Sequence, residues 1–182
     1  MKKESSAAYI ARLAITLLLI TAVVAAGLAC VNAVTAPEIE ALNAQKTQTA
    51  IEAVLPGGGE EIAFTDDSDI VSTIYKGQSG YAVEVTPAGF NGTVTMMVGV
   101  DNTGKVLGIS IVNHTETAGL GAEAASQSAA GTAFRSQFAG MSGSVSVSKD
   151  GGQVDALTGA TITSRAVCTG VNAALNAVAK LG

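Results

Sequence analysis

The sequence predicts an α+β protein in which a single transmembrane helix is followed by a domain with a mostly antiparallel sheet and a C-terminal helix. Three observations predict it: an uncharged apolar stretch near the amino terminus, alternating strand patterns between glycine-rich turns, and a final helical apolar stripe. The 182 residues allow one modest domain beside an anchor. Because hydrophobic residues make up 48% but aromatic residues only 4%, the core must rest on aliphatic side chains and alanine.

The apolar stretch covers residues 13–31 and contains no charged side chain. At about 1.5 Å per residue, a helix of this length spans a hydrocarbon layer of roughly 30 Å. We therefore expect a transmembrane helix at 13–33, between a cytoplasmic amino terminus at 1–12 and a juxtamembrane helix and linker at 34–56. A cleaved signal peptide is the alternative, because small residues follow the stretch, but the usual signal core is only about 7–15 residues long.

The charges on either side of this stretch predict its orientation. Lys2, Lys3 and Arg12 precede it, whereas Glu38 and Glu40 follow it. Positive residues stay inside, so we expect a single pass through the cytoplasmic membrane with everything after about residue 34 outside. The later part of the chain has seven Lys or Arg against fourteen Asp or Glu. This acidic balance argues against nucleic acid as a partner.

Pro56 and the three glycines after it end a helical pattern at 37–55, so we place the extracytoplasmic domain at 57–182. An acidic patch follows directly, made of Glu60, Glu61, Asp66, Asp67 and Asp69. We expect a solvated loop here. A calcium site is the alternative, but the spacing fits no known ligand loop, and no metal site is predicted.

Strands are predicted at 70–75, 81–86, 93–100 and 106–112, where apolar and polar residues alternate. The last two flank Asp101-Asn-Thr-Gly-Lys105, which is typical of a hairpin loop. Residues 144–148, with the sequence SVSVS, alternate strictly and predict a further strand.

Two helices are predicted in the same domain. Residues 122–139 are rich in Ala, Ser and Gln, and they place Phe134 and Phe138 four residues apart. Residues 164–181 carry an apolar stripe made of Val167, Val171, Ala174, Leu175 and Val178, which predicts the closing helix.

The two cysteines, Cys30 and Cys168, are too few for a disulfide scaffold. We expect both to be small buried hydrophobic residues, as unpaired cysteines usually are. A lipid-modified Cys30 is the alternative, but Gly27 stands where a lipoprotein signal prefers a residue similar to leucine.

Residues 155–161, with the sequence DALTGAT, lie between the SVSVS segment and the final helix. Gly159 permits a sharp turn, and Thr161 presents a hydroxyl just before the helix, for which Thr163 or Ser164 is a candidate N-cap. Backbone N–H groups at a helix start favour an anion, so a phosphate at Thr161 is plausible. An ordinary capped turn explains the same residues. The chain lacks a Walker loop and a dinucleotide fingerprint.

The segment 155–161 resembles the flavinylation motif of FMN-binding domains, Asp-x-x-Ser/Thr-Gly-Ala-Thr. These domains occur in the G subunit of the Rnf electron transport complex and in the C subunit of the Na⁺-translocating NADH:quinone oxidoreductase. The resemblance implies that Thr161 carries FMN through a phosphodiester, attached by a flavin transferase that uses FAD and Mg²⁺. The remaining recognition sequence would be Asp155, Thr158, Gly159 and Ala160.

The resemblance extends to residues 89–121, which are similar to the hairpin and the His-x-Glu-Thr-Pro-Gly-Leu-Gly segment of the same family. Ala118 stands in the usual place of proline, and Phe134 in a position often taken by tryptophan. The G subunit of the Rnf complex fits better than the C subunit of the quinone oxidoreductase, because the chain is short and runs straight from an anchor to one domain.

We also expect roles for other residues, given a flavin at Thr161. Leu120 and Leu157 would pack on the isoalloxazine face, and Glu116 and Thr117 would bond to the ring edge or to backbone; Thr163 completes the expected cofactor-binding set. Asp155 would be read by the transferase or hold the loop. His114, the single histidine, is expected to make a structural hydrogen bond at a strand end rather than to act as a base.

The implied function is a membrane-anchored electron carrier with covalent FMN, in an ion-translocating complex linked to ferredoxin and NAD. Its partners would be the other membrane subunits and, during maturation, the transferase. It would transfer electrons as one component of the complex rather than act as a complete enzyme, and no catalytic residue is predicted. The alternatives are a stand-alone extracytoplasmic flavin-dependent reductase and a cofactor-free anchored binding module.

Overall fold

The computed structural model describes residues 6–64 and 69–181. The chain divides into two compact units, Met1–Ala44 and Gln45–Gly182. The elements are α1 (Ser6–Val54), β1 (Glu60–Ile62), β2 (Val71–Lys76), β3 (Gly80–Val85), β4 (Val94–Asp101), β5 (Val106–His114), α2 (Ala129–Ser136) and α3 (Thr161–Leu181). Short 3₁₀ helices cover Gly121–Ala125 and Ser148–Asp150.

Helix α1 runs without a break through the segment predicted at 13–33 and through the helical pattern at 37–55 as far as Val54, with Pro37 inside it. Its most apolar part has a mean hydropathy of 2.6 with no residue buried. Within residues 6–64 and 69–181 it is the one helix long and apolar enough to cross a membrane. An N-terminal helix of this kind is typical of a membrane anchor. Lys2 and Lys3 lie outside the described residues.

The cysteine prediction is right for one residue and wrong for the other. Cys168 is buried, whereas Cys30 is exposed on α1. The reason is that Cys30 belongs to the apolar segment of α1, in which none of the described residues is buried.

The five strands form one antiparallel sheet in the order β1-β2-β3-β4-β5, which confirms the predicted fold class. Val83 on β3 lies opposite Val98 on β4, and the β4–β5 pair contains two irregularities in register. The four strands predicted between 70 and 112 are found to within about two residues at each end, the usual precision of such boundaries.

Alternation along the central strands gives the sheet two apolar faces. Val83 and Val98 pack in the main core with Val171 of α3, whereas Ala82 and Met97 belong to a second cluster. The last turns of α1, from Gln45 onward in the same compact unit, and the residue directly after the helix supply the rest of that cluster: Ala50, Ile51, Val54 and Leu55. Covering both faces fixes the register, since a slip of one residue would exchange the two faces.

The acidic patch is not wholly a loop. Glu60 and Glu61 lie on β1, opposite Lys76 and Tyr75 of β2. Asp66 and Asp67 fall outside the described residues. Among the residues that the structure describes, no group of His, Cys, Asp or Glu could hold a metal ion.

The strand predicted at 144–148 is wrong, although its alternation correctly gives the buried side. Val145 and Val147 are buried, but only Val147 joins a bridge, a parallel one with Val154. Asn172 of α3 takes the place of a partner strand, because its side-chain amide accepts from N–H and donates to C=O of Val145 at 2.8 Å. An alternating pattern predicts which side chains are buried, but it does not predict which groups form hydrogen bonds with the backbone.

The single helix predicted at 122–139 is also wrong. A 3₁₀ helix ends at Ala125, and α2 begins only after Ser128, whose hydroxyl accepts from the N–H of Gly131 at 3.0 Å. Serine side chains compete with helical hydrogen bonds and favour caps, which explains the break. Phe134 and Phe138 still contact edge to face, with 5.4 Å between their ring centroids.

Candidate functional site

The loop after β5 and the start of α3 enclose a cleft of about 340 Å³. The turn between β3 and β4 and the Ser148–Asp150 helix contribute one residue each. The lining residues are Phe90, Glu116, Thr117, Leu120, Gly121, Lys149, Gly159, Ala160, Thr161, Ile162 and Thr163. This volume lies within the usual range of small-molecule sites, about 300–1,000 Å³.

Thr161 is the first residue of α3 and is partly exposed in the cleft. Its hydroxyl oxygen accepts a hydrogen bond from Nζ of Lys149 over 3.2 Å. The first N–H groups of a helix have no partner within the helix, and the helix dipole adds partial positive charge there. The ammonium and the helix start together make the surroundings of Thr161 favourable for an anion.

The predicted N-cap is wrong, because α3 begins at Thr161 and takes in both candidates. Ser164 is buried, and its hydroxyl donates to the C=O of Ala160 and accepts from the N–H of Leu157, at 2.9 and 3.0 Å. The buried serine hydroxyl therefore connects the preceding loop to the first turn of α3 through two hydrogen bonds.

Glu116 is a buried carboxylate with three hydrogen-bond donors around it. Oε1 accepts from the N–H groups of Phe90 and Asn91 at 2.8 and 3.1 Å, and Oε2 accepts from the hydroxyl of Thr163 at 2.5 Å. A buried charge is tolerated when hydrogen bonds satisfy it, and this one joins three chain segments. Gly121 lies so close that a Cβ there would collide with Oε2. Glu116 thus shapes one wall of the cleft.

The structure separates the predicted site residues into two groups. Glu116, Thr117, Leu120, Gly159, Ala160, Thr161 and Thr163 line the same cleft. Leu157, Thr158 and Asp155 do not: Leu157 is buried in the main core, and the other two are exposed on the loop. Leu157 faces inward because the loop that carries it is fastened to Ser164.

Gly159 has a backbone conformation that favours glycine, with φ of 74°. A Cβ at this position would lie 2.9 Å from Cδ2 of Leu120. The glycine therefore lets the motif loop turn and lets Leu120 come close to it.

Asp155 is held by its backbone rather than by its carboxylate. Its N–H donates to Oε1 of Gln137 at 2.7 Å, and its C=O accepts from Nε2 of the same side chain at 3.2 Å. Within the described residues the structure gives no hydrogen-bond partner for the carboxylate. Of the two roles expected for this residue, holding the loop belongs to the backbone and Gln137.

Four cleft residues were missed by sequence reasoning: Phe90, Gly121, Lys149 and Ile162. Ile162 directly follows the motif, and its exposed side chain could have been suspected from that position. Phe90 and Lys149 carry no local signal, because tertiary contacts alone bring them to the cleft. Arg165, four residues after Thr161 on the same face of α3, is the nearest cation in the sequence.

Arg165 instead forms an ion pair with Asp150. Its Nε and Nη2 donate to the two carboxylate oxygens, both at 2.7 Å. The hydrogen bonds from Arg165 hold the pKa of the Asp150 carboxyl below its ordinary value.

His114 ends β5, as predicted, but the expected structural hydrogen bond is not found at one ring nitrogen. Nδ1 is buried and has no partner among the described residues. The backbone N–H of His114 donates to Oδ1 of Asn113 instead. The side chain does not line the cleft.

Comparison with known proteins places this cleft in a family. Residues 89–176 match the FMN-binding domain. The chain is 35% identical over 187 residues to the G subunit of the Na⁺-translocating ferredoxin:NAD⁺ oxidoreductase complex of Acetobacterium woodii, covering 88% of this chain and 87% of the relative. It is 31% identical over 182 residues to the G subunit of the ion-translocating oxidoreductase complex of Methanosarcina acetivorans, covering 93% and 94%.

A third relative matches over a shorter length. The G subunit of the proton-translocating ferredoxin:NAD⁺ oxidoreductase complex of Clostridium ljungdahlii is 41% identical over 102 residues, covering 54% of this chain and 52% of the relative. All the cleft residues fall between 89 and 176, the part that matches the FMN-binding domain. The chain therefore belongs to the family of G subunits of Rnf-type ion-translocating oxidoreductase complexes, and its cleft lies in the FMN-binding domain of that family.

Proposed function

We propose that this chain is a membrane-anchored electron carrier that holds FMN through a phosphodiester on Thr161. One observation carries the proposal: the Thr161 hydroxyl lies in an apolar-rimmed cleft with the ammonium of Lys149 at 3.2 Å. The hydroxyl offers the atom to be esterified, and the ammonium offers the counter-charge for a phosphate.

The residues present fit a flavin as well as a phosphate. Within residues 45–64 and 69–181, four large apolar side chains are exposed: Phe90, Leu107, Leu120 and Ile162. Three of them surround the cleft. Exposed apolar groups gathered at one place mark a binding site, and a flat aromatic ring system is a suitable occupant.

The covalent bond would suit the location that we propose. Lys2, Lys3 and Arg12 before the anchor and the acidic residues after it favour a cytoplasmic amino terminus and a domain outside. A cofactor held by contacts alone is lost there by dilution, whereas an ester to Thr161 removes dissociation. FMN supplies the electron chemistry when bound, and the protein supplies its position and electrostatic surroundings.

The partners that we propose are the other membrane subunits of an Rnf-type complex and, during maturation, a flavin transferase. Three relatives are themselves named as G subunits of ion-translocating oxidoreductase complexes, two of them of ferredoxin:NAD⁺ type. The single anchor and the small domain suit one relay within such an assembly. Among the described residues that line the cleft around Thr161, we find no set of side chains suited to a reaction on a second substrate.

The decisive experiment is co-expression of the full chain with a flavin transferase, followed by intact-mass measurement. We expect the wild type to gain the mass of FMN less water, and Thr161→Ala to gain nothing. Thr169→Ala is the matched control, because Thr169 is an exposed threonine on the same helix. A flavin on Thr161→Ala, or none on the wild type, would refute the attachment. A loaded protein that turns over a soluble acceptor by itself would favour the reductase.

A further inference from the structure

Two basic side chains lie near Thr161, and they have different partners. Nζ of Lys149 donates to Oγ1 of Thr161. Arg165 points both its Nε and its Nη2 at the carboxylate of Asp150. Lys149 and Asp150 are neighbours in the 3₁₀ helix Ser148–Asp150, so one short segment carries the first cation and the partner of the second.

We propose that Lys149 is the positioned cation that assists flavin transfer to Thr161 and then contacts the attached phosphate, and that the Asp150–Arg165 ion pair holds it there. This inference rests on the proposed function, since it takes Thr161 as the acceptor. Lys149 would be the residue that acts on the phosphate, and Asp150 and Arg165 would be positioning residues.

The ion pair can position Lys149 because it links the 3₁₀ helix to α3. Arg165 lies one helical turn after Thr161, on the same face of α3. Its two hydrogen bonds to Asp150 fix the 3₁₀ helix at a defined place along that face, with Lys149 at the level of Thr161. Two parallel bonds from a planar guanidinium give a more definite geometry than a single contact would.

The same pair limits the competition of Asp150 for the ammonium, because the carboxylate attracts Lys149 but is hydrogen-bonded to Arg165. Both carboxylate oxygens of Asp150 accept from Arg165, so neither is left facing Lys149 without a partner. Without Arg165, the adjacent carboxylate would attract the ammonium of Lys149 and would repel a phosphate at Thr161. The arrangement therefore keeps the positive charge of Lys149 beside the Thr161 hydroxyl that is to be esterified.

The transfer step shows what Lys149 could contribute. Thr161 Oγ1 would attack the flavin-side phosphorus of FAD, which the transferase supplies. A new Oγ–P bond forms, the P–O bond to the adenylate breaks, AMP leaves with the bonding electrons, and a base of the transferase takes the hydroxyl proton. No atom changes its oxidation state. An ammonium beside the attacking oxygen offsets negative charge on the phosphoryl group, the main protein contribution in such transfers.

The test is the initial rate of flavin incorporation into the unloaded full chain in detergent, with purified transferase, FAD and Mg²⁺, followed by intact mass. We expect Lys149→Gln to load at least about tenfold more slowly, which is less than the roughly hundredfold loss from one buried stabilising donor because Lys149 is exposed. Lys149→Arg should recover most of the rate, since it keeps the charge. Lys105→Gln, which removes an exposed lysine from the β4–β5 hairpin, should load like the wild type.

The positioning role predicts a different pattern. Asp150→Asn and Arg165→Gln should each slow loading by a smaller factor, roughly threefold. The double variant should be no slower than the slower single variant, because residues of one pair are not additive. Melting temperatures should barely change, since exposed ion pairs contribute little to stability. Added salt should slow the wild type more than Lys149→Gln, because it screens the charge that the variant lacks.

The outcomes separate this inference from the proposed function. If Lys149→Gln loads at the wild-type rate while Thr161→Ala does not load, the inference is wrong and the attachment site stands. Equal slowing of Lys149→Gln and Lys105→Gln would also overturn it, by revealing a general charge effect. If Lys149→Gln also lowers the melting temperature, the salt dependence of the loading rate decides. A salt dependence equal to that of the wild type contradicts the role of Lys149. Flavin on Thr161→Ala overturns both proposals.

Discussion

Thr163 donates its hydroxyl hydrogen to Oε2 of Glu116 over 2.5 Å, although the two residues are forty-seven positions apart in the chain. The bond joins the loop after β5 to the first turn of α3, which carries Thr161. The other carboxylate oxygen holds the turn at Phe90 and Asn91. One buried side chain therefore sets the distance between the apolar rim of the cleft and Thr161.

This bond predicts that Thr163→Val destabilises the domain by about 1–2 kcal/mol, because it removes a donor from a buried carboxylate. Glu116→Ala should cost more, since it leaves several buried donors unsatisfied. Denaturant unfolding measures both. Thr169→Val is the control, because its hydroxyl bonds only to the backbone on the exposed side of α3. Equal stability of the Thr163 and Thr169 variants would contradict the role of the bond.

Gly159→Ala should cost about 1 kcal/mol through its left-handed backbone and should also alter the flavin. Gly104→Ala is the matched control, because its φ of 77° is similar but a Cβ there meets nothing within 4 Å. We expect comparable losses of stability in unfolding experiments. Only the Gly159 variant should change flavin loading or fluorescence, since its new methyl group displaces Leu120. Identical flavin properties in both variants would exclude that contact.

Leu120→Ala should shift the flavin potential and fluorescence, because Leu120 forms an exposed apolar rim beside Gly159 and Thr161. Leu107→Ala offers a close comparison: Leu107 is 41% exposed and Leu120 is 44% exposed, but Leu107 lies on β5 outside the cleft. Redox titration and fluorescence of the loaded proteins give the answer. If neither property moves in Leu120→Ala, the packing role is lost.

Asp155→Ala should lower flavin loading without unfolding the domain. The carboxylate is exposed, and the loop is held by the Asp155 backbone and Gln137, so truncation leaves these hydrogen bonds in place. Gln137→Ala should do the reverse and reduce stability, because it removes both bonds. Intact mass and thermal melting are the two measurements. Full loading of Asp155→Ala would refute recognition of this residue by the transferase.

Burial raises the pKa of the Cys168 thiol to about 11. Since the fold favours the protonated thiol, Cys168 should lower the free energy of unfolding as pH rises from about 8.5, the ordinary thiol value, toward 11. In a Cys30→Ala background, a maleimide at pH 8 should label Cys168 only after denaturant is added. Rapid labelling of the folded protein would show that the α3 core opens under native conditions.

Local patterns were sufficient for the regular elements. The strands between 70 and 112 and the closing helix were predictable because alternation and helical periodicity follow directly from which side chains are buried. The segment 144–148 shows the limit of this reasoning. Its valines are buried as the pattern requires, but Asn172 of a distant helix, rather than a strand, satisfies the backbone of Val145. The break before α2 likewise depends on which hydrogen bonds the serines make.

The sequence by itself determined the apolar anchor segment, the antiparallel domain and the place of Thr161 at the start of a helix, because each depends on neighbours within a few positions. Only the tertiary structure decided what surrounds Thr161. In the folded domain Leu157 is buried in the core, Arg165 pairs with Asp150, and Lys149 and Phe90 line the cleft. The physical reason is that these contacts join segments far apart in sequence, and their partners are chosen by competition between charges and buried groups across the whole domain.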